Sequence, residues 1–314
     1  MIQKKTWLLL ICCLGVLFSA CGGSTAAQPT PKEEQKRTVT YLGKEIQIPA
    51  KIDRTVAVGY STLEDMVLLG IEPVGGPTYP NGPAEYLADH LKNMKSVGNR
   101  TETNYETVIS LKPDLIVAHE RTTPETIKKL QKIAPTVQFS KQAKWRENFT
   151  LLGDIFNKQA QVKQILAAYD TQVADAKAAL QRSDKKELVV LTMKIRAGGI
   201  SVFPPTFYIN DILYNELGFK MTSDMARVKA QEKLPLERLA QINPDIMIVG
   251  FSPFENADKP QALEDLQKNP IWQGVKAVKN NRVLLNKVHP LIQGNTAYGQ
   301  KAALDMIEKE IVNK

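Results

Sequence analysis

Short apolar runs alternate with amphipathic stretches along most of the chain. The runs at 55–59 and 114–118 are typical of buried strands, and the stretches at 62–69 and 105–111 have the spacing of helices. Alternating positions over 38–48 predict a short hairpin. Strands that alternate with helices in this way indicate a mainly parallel α/β sheet.

One helix–strand unit occurs twice, far apart in the chain. Residues 104–117 match residues 235–248 position for position: a Glu (Glu106 or Glu237) opens a short helix, a Pro-Asp pair follows, and an apolar strand comes next. Two copies of one unit predict two lobes of similar architecture. Length points the same way, because the roughly 280 residues of the folded part exceed what one hydrophobic core usually holds.

The longest helical pattern lies between the two copies. Apolar residues recur at steps of three and four over 159–183, and neither Pro nor Gly interrupts them. A helix of this length extends about 35 Å, enough to bridge two domains. We therefore predict an α/β protein in which two lobes with mainly parallel sheets, 38–158 and 184–314, are joined by one long helix. A stiff helix between lobes also predicts a small closure rather than a wide hinge motion.

The N-terminal segment has the composition of an export signal. Lys4 and Lys5 are followed by an apolar run over 7–18, which is too short for the roughly 20 residues of a membrane span. Small residues follow this run. We therefore predict a signal peptide over 1–20 that is removed on export.

Cys21 directly follows the predicted signal peptide. The segment 19–22 resembles a bacterial lipobox, in which the Cys thiol is acylated and becomes the first residue of the mature chain; an ordinary signal peptide with an incidental Cys is the alternative. Cys12 and Cys13 lie within the signal peptide, so no disulfide is possible in the mature chain. Residues 21–37 are rich in small and polar residues and predict a flexible tether. We expect the protein at the extracytoplasmic face of the cell membrane, bound to it through lipid only.

Composition and charge argue against several classes of protein. The net charge is +8, yet no basic run in the mature part is longer than two residues, which argues against a nucleic-acid-binding arm. The chain has no phosphate-binding Gly loop, no Gly-x-Ser-x-Gly elbow and no His-Glu-x-x-His motif. Its three histidines, His90, His119 and His289, lack ligand spacing, which disfavours a site for bare zinc or manganese. We expect no resident metal, no cofactor and no catalytic residue.

Two cations are predicted to lie side by side at a sheet edge. A strand over 188–193 leads into Lys194 and Arg196, which point to the same side of an extended chain because they are two positions apart. Open α/β sheets bind ligands at the carboxyl ends of their strands, where Gly198 and Gly199 allow a tight turn. The alternative is a pair of solvated charges at a strand end.

Further polar and aromatic side chains accompany the two repeated units. Three cations and one amide lie near the units: Arg100, Arg121, Lys229 and Gln231. Two tyrosines, Tyr60 and Tyr79, lie in loops after predicted strands. Side chains of these types suit an anionic ligand better than a bare metal ion.

The chain resembles one known family. From Tyr41 onward the chain is similar to the iron–siderophore-binding lipoproteins of Gram-positive ABC importers, and most of all to members that bind ferric bacillibactin, a tris-catecholate. The most specific matches are the stretches 194–198, 208–214, 229–232, 255–260, 268–272 and 290–294. The resemblance implies a monomeric, non-enzymatic receptor that captures a ferric siderophore between two lobes and delivers it to an ABC permease dimer with its ATPase.

The resemblance also assigns ligand-binding positions. Arg196, Lys229 and Gln231 match binding residues of the family. Lys194 stands where the relative has Arg, and Arg100 stands where it has Lys. Arg121 and Tyr79 join this set because they lie in loops after predicted strands. The predicted ligand-binding residues are therefore Arg100, Arg121, Lys194, Arg196, Lys229, Gln231 and Tyr79.

Two departures from the family reduce the positive charge of the predicted pocket. The relative carries a cleft Lys near positions 81–82, where this chain has Asn-Gly, and Ala197 replaces a Gln contact. A ferric tris-catecholate is a trianion whose own oxygens fill the coordination sites of iron, so it needs cations and donors from the protein rather than metal ligands. With fewer cations, a hydroxamate or carboxylate chelate is the alternative ligand, and haem or a corrinoid is a weaker one. An extracellular surface enzyme is the alternative from another class.

The repeated glutamates have a separate predicted role. By the same resemblance, Glu106 and Glu237 match the pair that docks onto Arg residues of the permease, one in each lobe. Their symmetric placement suits a two-fold permease dimer. The alternative is that each Glu only stabilises the N-terminus of its helix through the helix dipole.

Overall fold

The structure, a computed structural model, describes residues 35–314. The predicted signal peptide, Cys21 and most of the predicted tether therefore lie outside the described residues. Between residues 35 and 314, no helix is both long and apolar enough to cross a membrane.

The N-terminal lobe is built on a parallel five-stranded sheet that follows an antiparallel hairpin. Its strands are β1 (Lys36–Tyr41), β2 (Lys44–Pro49), β3 (Thr55–Val58), β4 (Gly75–Gly76), β5 (Lys95–Ser96), β6 (Leu115–Ala118) and β7 (Thr136–Gln138). Its helices are α1 (Tyr60–Leu68), α2 (Tyr105–Ser110), α3 (Pro124–Leu130) and α4 (Trp145–Ile155), with a 3-10 turn at Glu85–His90. β1 pairs with β2 as predicted, and the sheet order is β5-β4-β3-β6-β7.

One long helix, α5 (Gln159–Gln181), connects the two lobes. Val162, near its start, packs in the core of the N-terminal lobe. Tyr169, Ala176 and Leu180 pack in a core of the C-terminal lobe. Because both cores hold apolar side chains of the same helix, α5 is anchored at each end, which confirms the predicted connecting helix.

The C-terminal lobe is built on a mixed five-stranded sheet of order β10-β9-β8-β11-β12. Its strands are β8 (Val190–Arg196), β9 (Gly199–Val202), β10 (Glu232–Lys233), β11 (Ile246–Phe251) and β12 (Val283–Leu285). Its helices are α6 (Ser223–Arg227), α7 (Leu236–Ile242), α8 (Ala262–Lys268), α9 (Pro270–Gly274), α10 (Lys276–Lys279) and α11 (Ala297–Ile307). Short 3-10 turns at Asp184–Glu187 and Phe254–Asn256 and π-helical turns at Asp211–Glu216 and Glu308–Val312 complete it. β8, β11 and β12 are parallel, whereas β9 runs antiparallel to both of its neighbours.

The Pro-Asp pair of the repeated unit has the same structural task in both lobes. Asp114 precedes β6, and its Oδ2 accepts hydrogen bonds from the backbone N–H of Asp53 and of Arg54 at 2.8 Å each, just before β3. Asp245 precedes β11, and its Oδ2 accepts a hydrogen bond from the N–H of Val189 at 2.8 Å, just before β8. Each carboxylate thus fixes the start of one parallel strand against its neighbour, which explains why the motif recurs.

A second element joins the lobes, and the sequence pattern does not predict it. Ala297, at the start of α11, packs in the core of the N-terminal lobe. Leu304 and Ile307, further along α11, pack in a core of the C-terminal lobe. Two helices therefore cross between the lobes, which restricts their relative motion more than α5 alone would.

Candidate ligand-binding cleft

A cavity of about 630 Å³ opens between the two lobes. The N-terminal lobe lines it with residues 58–61, 99–103 and 119–123, and the C-terminal lobe with residues 290–295, the end of β8 and several aromatic side chains. The predicted ligand-binding residues that line it are Tyr79, Arg100, Arg121, Lys194, Arg196 and Gln231. Lys229 is exposed, and its neighbours Ala230 and Gln231 reach the cavity wall instead.

The loops of the N-terminal lobe meet at one edge of its sheet. Gly59 follows β3 and His119 follows β6, and these two strands are parallel neighbours. Gly59 has φ +133°, and a Cβ atom on it would lie 2.4 Å from Cδ2 of His119. Only glycine lets the two loops approach so closely, and this approach shapes the wall of the cavity.

β8 carries the two cations predicted at its end. Lys194 and Arg196 are partly exposed and alternate with buried Ile195, so both side chains lie on one face, as predicted. The strand continues to Arg196 rather than ending at the predicted position 193 because β9 pairs with it. The tight turn predicted here has φ of 46° at Ala197 and 69° at Gly198, so it begins one residue before the glycine pair.

Arg196 is held by side chains on two sides. Its Nη2 donates to Oε1 of Glu255, and its Nη1 donates to Oε1 of Gln231 at 3.3 Å. Its guanidinium carbon lies 5.8 Å from the centre of the Phe203 ring. The side chain keeps 25% of its surface exposed, so the guanidinium is positioned in advance yet open to a ligand.

Lys194 lies deeper in the cleft. Its Nζ donates a hydrogen bond to the carbonyl oxygen of Pro290 at 2.7 Å. Burial lowers the pKa of Lys194 to about 8, although the carboxylates of Glu255 and Glu64 raise the pKa in part. The ammonium group is therefore poorly hydrated, and an anion beside it would be strongly attracted.

The cations of the N-terminal lobe are more exposed. Arg100 keeps 54% of its side chain exposed, and its Nη1 lies 3.9 Å from Oε1 of Glu255 on the opposite lobe. Arg121 keeps 70% exposed, and its Nε lies 3.9 Å from Oε1 of Glu120. Both contacts are long and both arginine side chains are largely exposed, so each can reorient towards a ligand.

Aromatic rings form a second part of the cavity wall and its rim. Tyr79 stacks on Tyr60 with ring centres 4.5 Å apart, and it meets the edge of Phe254 from the other lobe at 5.2 Å. Phe203 stacks on Phe207 at 5.3 Å. Sequence reasoning found the two tyrosines but placed Tyr60 in a loop, whereas it is the first residue of α1. The phenylalanines were missed because they lie in irregular segments where no period marks a binding face.

Carboxylates also line the cavity, and sequence reasoning missed them. Glu102, Glu120 and Glu255 lie among the cations. Glu120 Oε1 accepts a hydrogen bond from Nδ2 of Asn295 at 2.8 Å, which is another contact between the lobes. The stretch 255–260 belongs to the most specific matches of the family resemblance, and this was the available signal for Glu255.

His119 lines the cleft beside Arg121. Its Nδ1 accepts a hydrogen bond from the backbone N–H of Arg121 at 3.1 Å. Across residues 35–314, no group of three or more His, Cys, Asp or Glu side chains is placed to hold a metal ion.

The two repeated glutamates occupy equivalent exposed positions. Glu106 lies in the first turn of α2, where the side chain of Asn104 caps the helix by accepting from the N–H of Thr107 at 3.0 Å. Glu237 lies in the first turn of α7 after Pro235. Both carboxylates face solvent, so each is available to a partner.

Comparison with known proteins identifies the family. Residues 55–287 match the family described as periplasmic binding protein, which is most of the chain. The chain belongs to the periplasmic binding protein family.

Two relatives of this chain come from Bacillus subtilis (strain 168). An iron-uptake system-binding protein is 34% identical over 304 residues, which are 95% of this chain and 95% of the relative. An Fe(3+)-citrate-binding protein is 31% identical over 283 residues, which are 88% of this chain and 86% of the relative. The predicted resemblance to iron-uptake binding proteins is thus confirmed.

A solved structure confirms the fold. The triscatecholate siderophore binding protein FeuA from Bacillus subtilis, complexed with ferri-bacillibactin, superimposes with a TM-score of 0.80 at 33% identity. The match covers 89% of this chain and 99% of that one. Both relatives and this structure are named as binding proteins.

Proposed function

We propose that this protein is the lipid-anchored receptor of an ABC importer and that it captures an anionic ferric siderophore, a catecholate, between the lobes 38–158 and 184–314. The observation that carries the proposal is the convergence of Lys194, Arg196 and Arg100 from two lobes on one aromatic-lined cavity. The similarity to a triscatecholate siderophore binding protein over nearly the whole chain supports the same ligand class.

The chemistry of the cleft suits a tris-catecholate. The catechol oxygens occupy the coordination sites of iron, so the protein need only neutralise the chelate and pack against its rings. Arg196 and Lys194 supply donors on one wall. Tyr79 and Phe203 supply flat apolar surfaces against which aromatic ligand rings can stack.

A second candidate ligand is a ferric chelate of lower charge, of hydroxamate or carboxylate type. The three carboxylates in the cavity wall favour it, because they offset part of the positive charge. The 31% identity to an Fe(3+)-citrate-binding protein also supports this candidate.

Delivery and anchoring complete the proposal. Glu106 and Glu237, exposed at equivalent helix starts, would dock the loaded monomer onto the permease dimer, whose ATPase drives uptake. Cys21 would hold the receptor at the outer face of the cell membrane through lipid. Retention of a Cys21→Ser variant in the membrane fraction of cells would refute the anchor, and its release with unchanged ligand binding would support it.

Titration of the purified protein tests the function. Intrinsic tryptophan fluorescence is followed while a ferric tris-catecholate, a ferric trihydroxamate, ferric citrate and haem are added separately, with the iron-free catecholate as control. We expect saturable quenching by the tris-catecholate at the lowest concentration. Tighter binding of ferric citrate or the trihydroxamate would favour the second candidate. Absence of saturable quenching by every iron chelate would refute the receptor.

A further inference from the structure

Glu255 contacts cations from both lobes through one oxygen atom. Its Oε1 accepts a hydrogen bond from Nη2 of Arg196 and lies 3.9 Å from Nη1 of Arg100, which belongs to the other lobe. It also raises the pKa of Lys194, against the larger effect of burial. One carboxylate therefore partly neutralises three of the cations that the proposed ligand would use.

Hydrogen bonds hold the turn that carries Glu255 against β8. Glu255 lies in the 3-10 turn Phe254–Asn256, and its side chain keeps only 10% of its surface exposed. Asn256 is buried and donates from Nδ2 to the carbonyl oxygens of Ile195 at 2.8 Å and Ser252 at 2.9 Å. These bonds fasten the turn to β8 between Lys194 and Arg196, so the carboxylate cannot easily leave when a ligand arrives.

A carboxylate in this place resembles a ligand group. It lies between guanidinium groups of the two lobes, where an oxygen of an anionic chelate would otherwise lie. Like charges held a few ångströms apart in a partly desolvated cleft repel strongly. A trianionic chelate must therefore share Arg196 and Arg100 with Glu255 and bear its repulsion, whereas an uncharged chelate meets neither penalty.

We propose that Glu255 sets the charge selectivity of the cleft by competing with the ligand for Arg196 and Arg100. The inference rests on the proposed function, since it concerns the same cleft and the same class of ligand. It identifies Glu255 as a specificity-determining residue that lowers the affinity for the most highly charged ferric chelates. The rival role is positioning, in which Glu255 only orients Arg196 for the ligand.

The test compares two chelates on three proteins. Wild type, Glu255→Gln and Glu102→Gln are titrated with a trianionic ferric tris-catecholate and with an uncharged ferric trihydroxamate. Glu102 is the matched control, because it lines the same cavity and within the described residues forms no ion pair with either arginine. Thermal unfolding of each variant shows that it is folded, and Glu255→Ser serves as a second variant at the same position.

The expected result is a change in the ratio of the two affinities. Glu255→Gln should bind the tris-catecholate at least about tenfold more tightly and the trihydroxamate almost unchanged, since one like charge is removed. Glu102→Gln should change the ratio much less. Equal effects of Glu255→Gln and Glu102→Gln would show that affinity depends only on the net charge of the cavity, which would overturn the inference. Weaker binding of the tris-catecholate by Glu255→Gln and Glu255→Ser would show positioning and overturn it too. If wild type and all variants bind neither chelate, the proposed function is wrong, and the inference that rests on it is wrong as well.

Discussion

Glu64 Oε2 accepts a hydrogen bond from the hydroxyl of Thr296 at 2.6 Å, although the two residues lie far apart in the chain, Glu64 on α1 and Thr296 directly before α11. Glu64 Oε1 accepts two more, from the backbone N–H of Gln293 at 2.8 Å and from the hydroxyl of Tyr86 at 2.5 Å. Its neighbour Asp65 accepts from the N–H of Tyr298 at 3.2 Å. Helix α1 of the N-terminal lobe therefore holds the segment that lines the cleft and leads into α11.

The first prediction concerns the pH dependence of stability. Burial raises the pKa of Glu64 from its ordinary 4.5 to about 7, although its three hydrogen bonds lower the pKa in part. Between these two pH values the folded protein holds a proton that the unfolded chain has released, so the free energy of unfolding should fall as pH rises through this window. Glu64→Gln should flatten this dependence. Burial also raises the pKa of Asp65, so part of the slope should remain.

Urea unfolding at closely spaced pH values across that window measures this effect. Glu45→Gln on β2 is the matched control, because its side chain is exposed and lies outside the contacts of Glu64. Its profile should follow that of wild type. An unchanged slope in Glu64→Gln would show that Glu64 does not titrate in this range.

The second prediction concerns Lys194 and the pH dependence of ligand binding. Burial lowers the pKa of Lys194 to about 8, and only the protonated form attracts an anionic chelate. Affinity for a ferric tris-catecholate should therefore be highest below that pH and decline as pH rises above it. Lys194→Met should bind more weakly below pH 8 and lose the decline. Lys128→Met, an exposed substitution on α3, should keep the wild-type profile, and a flat profile in wild type would contradict the role of Lys194.

The structure shows why part of this site could be predicted from the sequence. The spacing of Lys194 and Arg196 indicates a shared face because a strand has a period of two, and the structure has this arrangement. The Pro-Asp repeat indicates two similar lobes because Asp114 and Asp245 fix equivalent strand pairs by local rules. Both patterns are short-range, so they are visible in the sequence.

Other features depend on contacts that no local pattern records. Glu255 bonds to Arg196 although 59 positions separate them in the chain, and its turn has no periodic signal. Glu64 lies in a short helix with apolar neighbours, and a polar residue there would ordinarily be assigned to the exposed side. The segment around Thr296 covers it instead, and only the folded chain brings that segment close.

The third prediction compares Arg196 and Lys229, two cations that the sequence analysis assigned to the same ligand-binding site. Arg196→Ala should weaken binding of an anionic ferric chelate tenfold or more, because a charged hydrogen bond contributes about 1.5–3 kcal/mol. Lys229→Ala should have a smaller effect, since Lys229 is exposed and does not line the cavity within the described residues. Calorimetric titration of both variants measures the difference. A larger loss in Lys229→Ala would mean that the ligand extends beyond this cavity.

The fourth prediction separates docking from binding. Glu106 and Glu237 are exposed and lie outside the cavity lining, so a double Ala variant should bind ferric chelate as wild type does. Transport of the iron-loaded chelate into cells should be lost, because both lobes would have lost the carboxylate proposed to meet the permease. A double Ala variant at Glu45 and Glu264, two other exposed glutamates, is the matched control and should transport normally.

Unfolding measurements distinguish docking from the helix-dipole alternative. If the two glutamates only stabilised α2 and α7, the double variant would show a lower unfolding temperature and a proportionate loss of both binding and transport. Docking instead predicts retained binding with lost transport, and each single variant should retain part of the transport because one lobe still carries its carboxylate. Normal transport by the double variant would rule out the docking role, since the permease would then have to recognise other residues of the receptor.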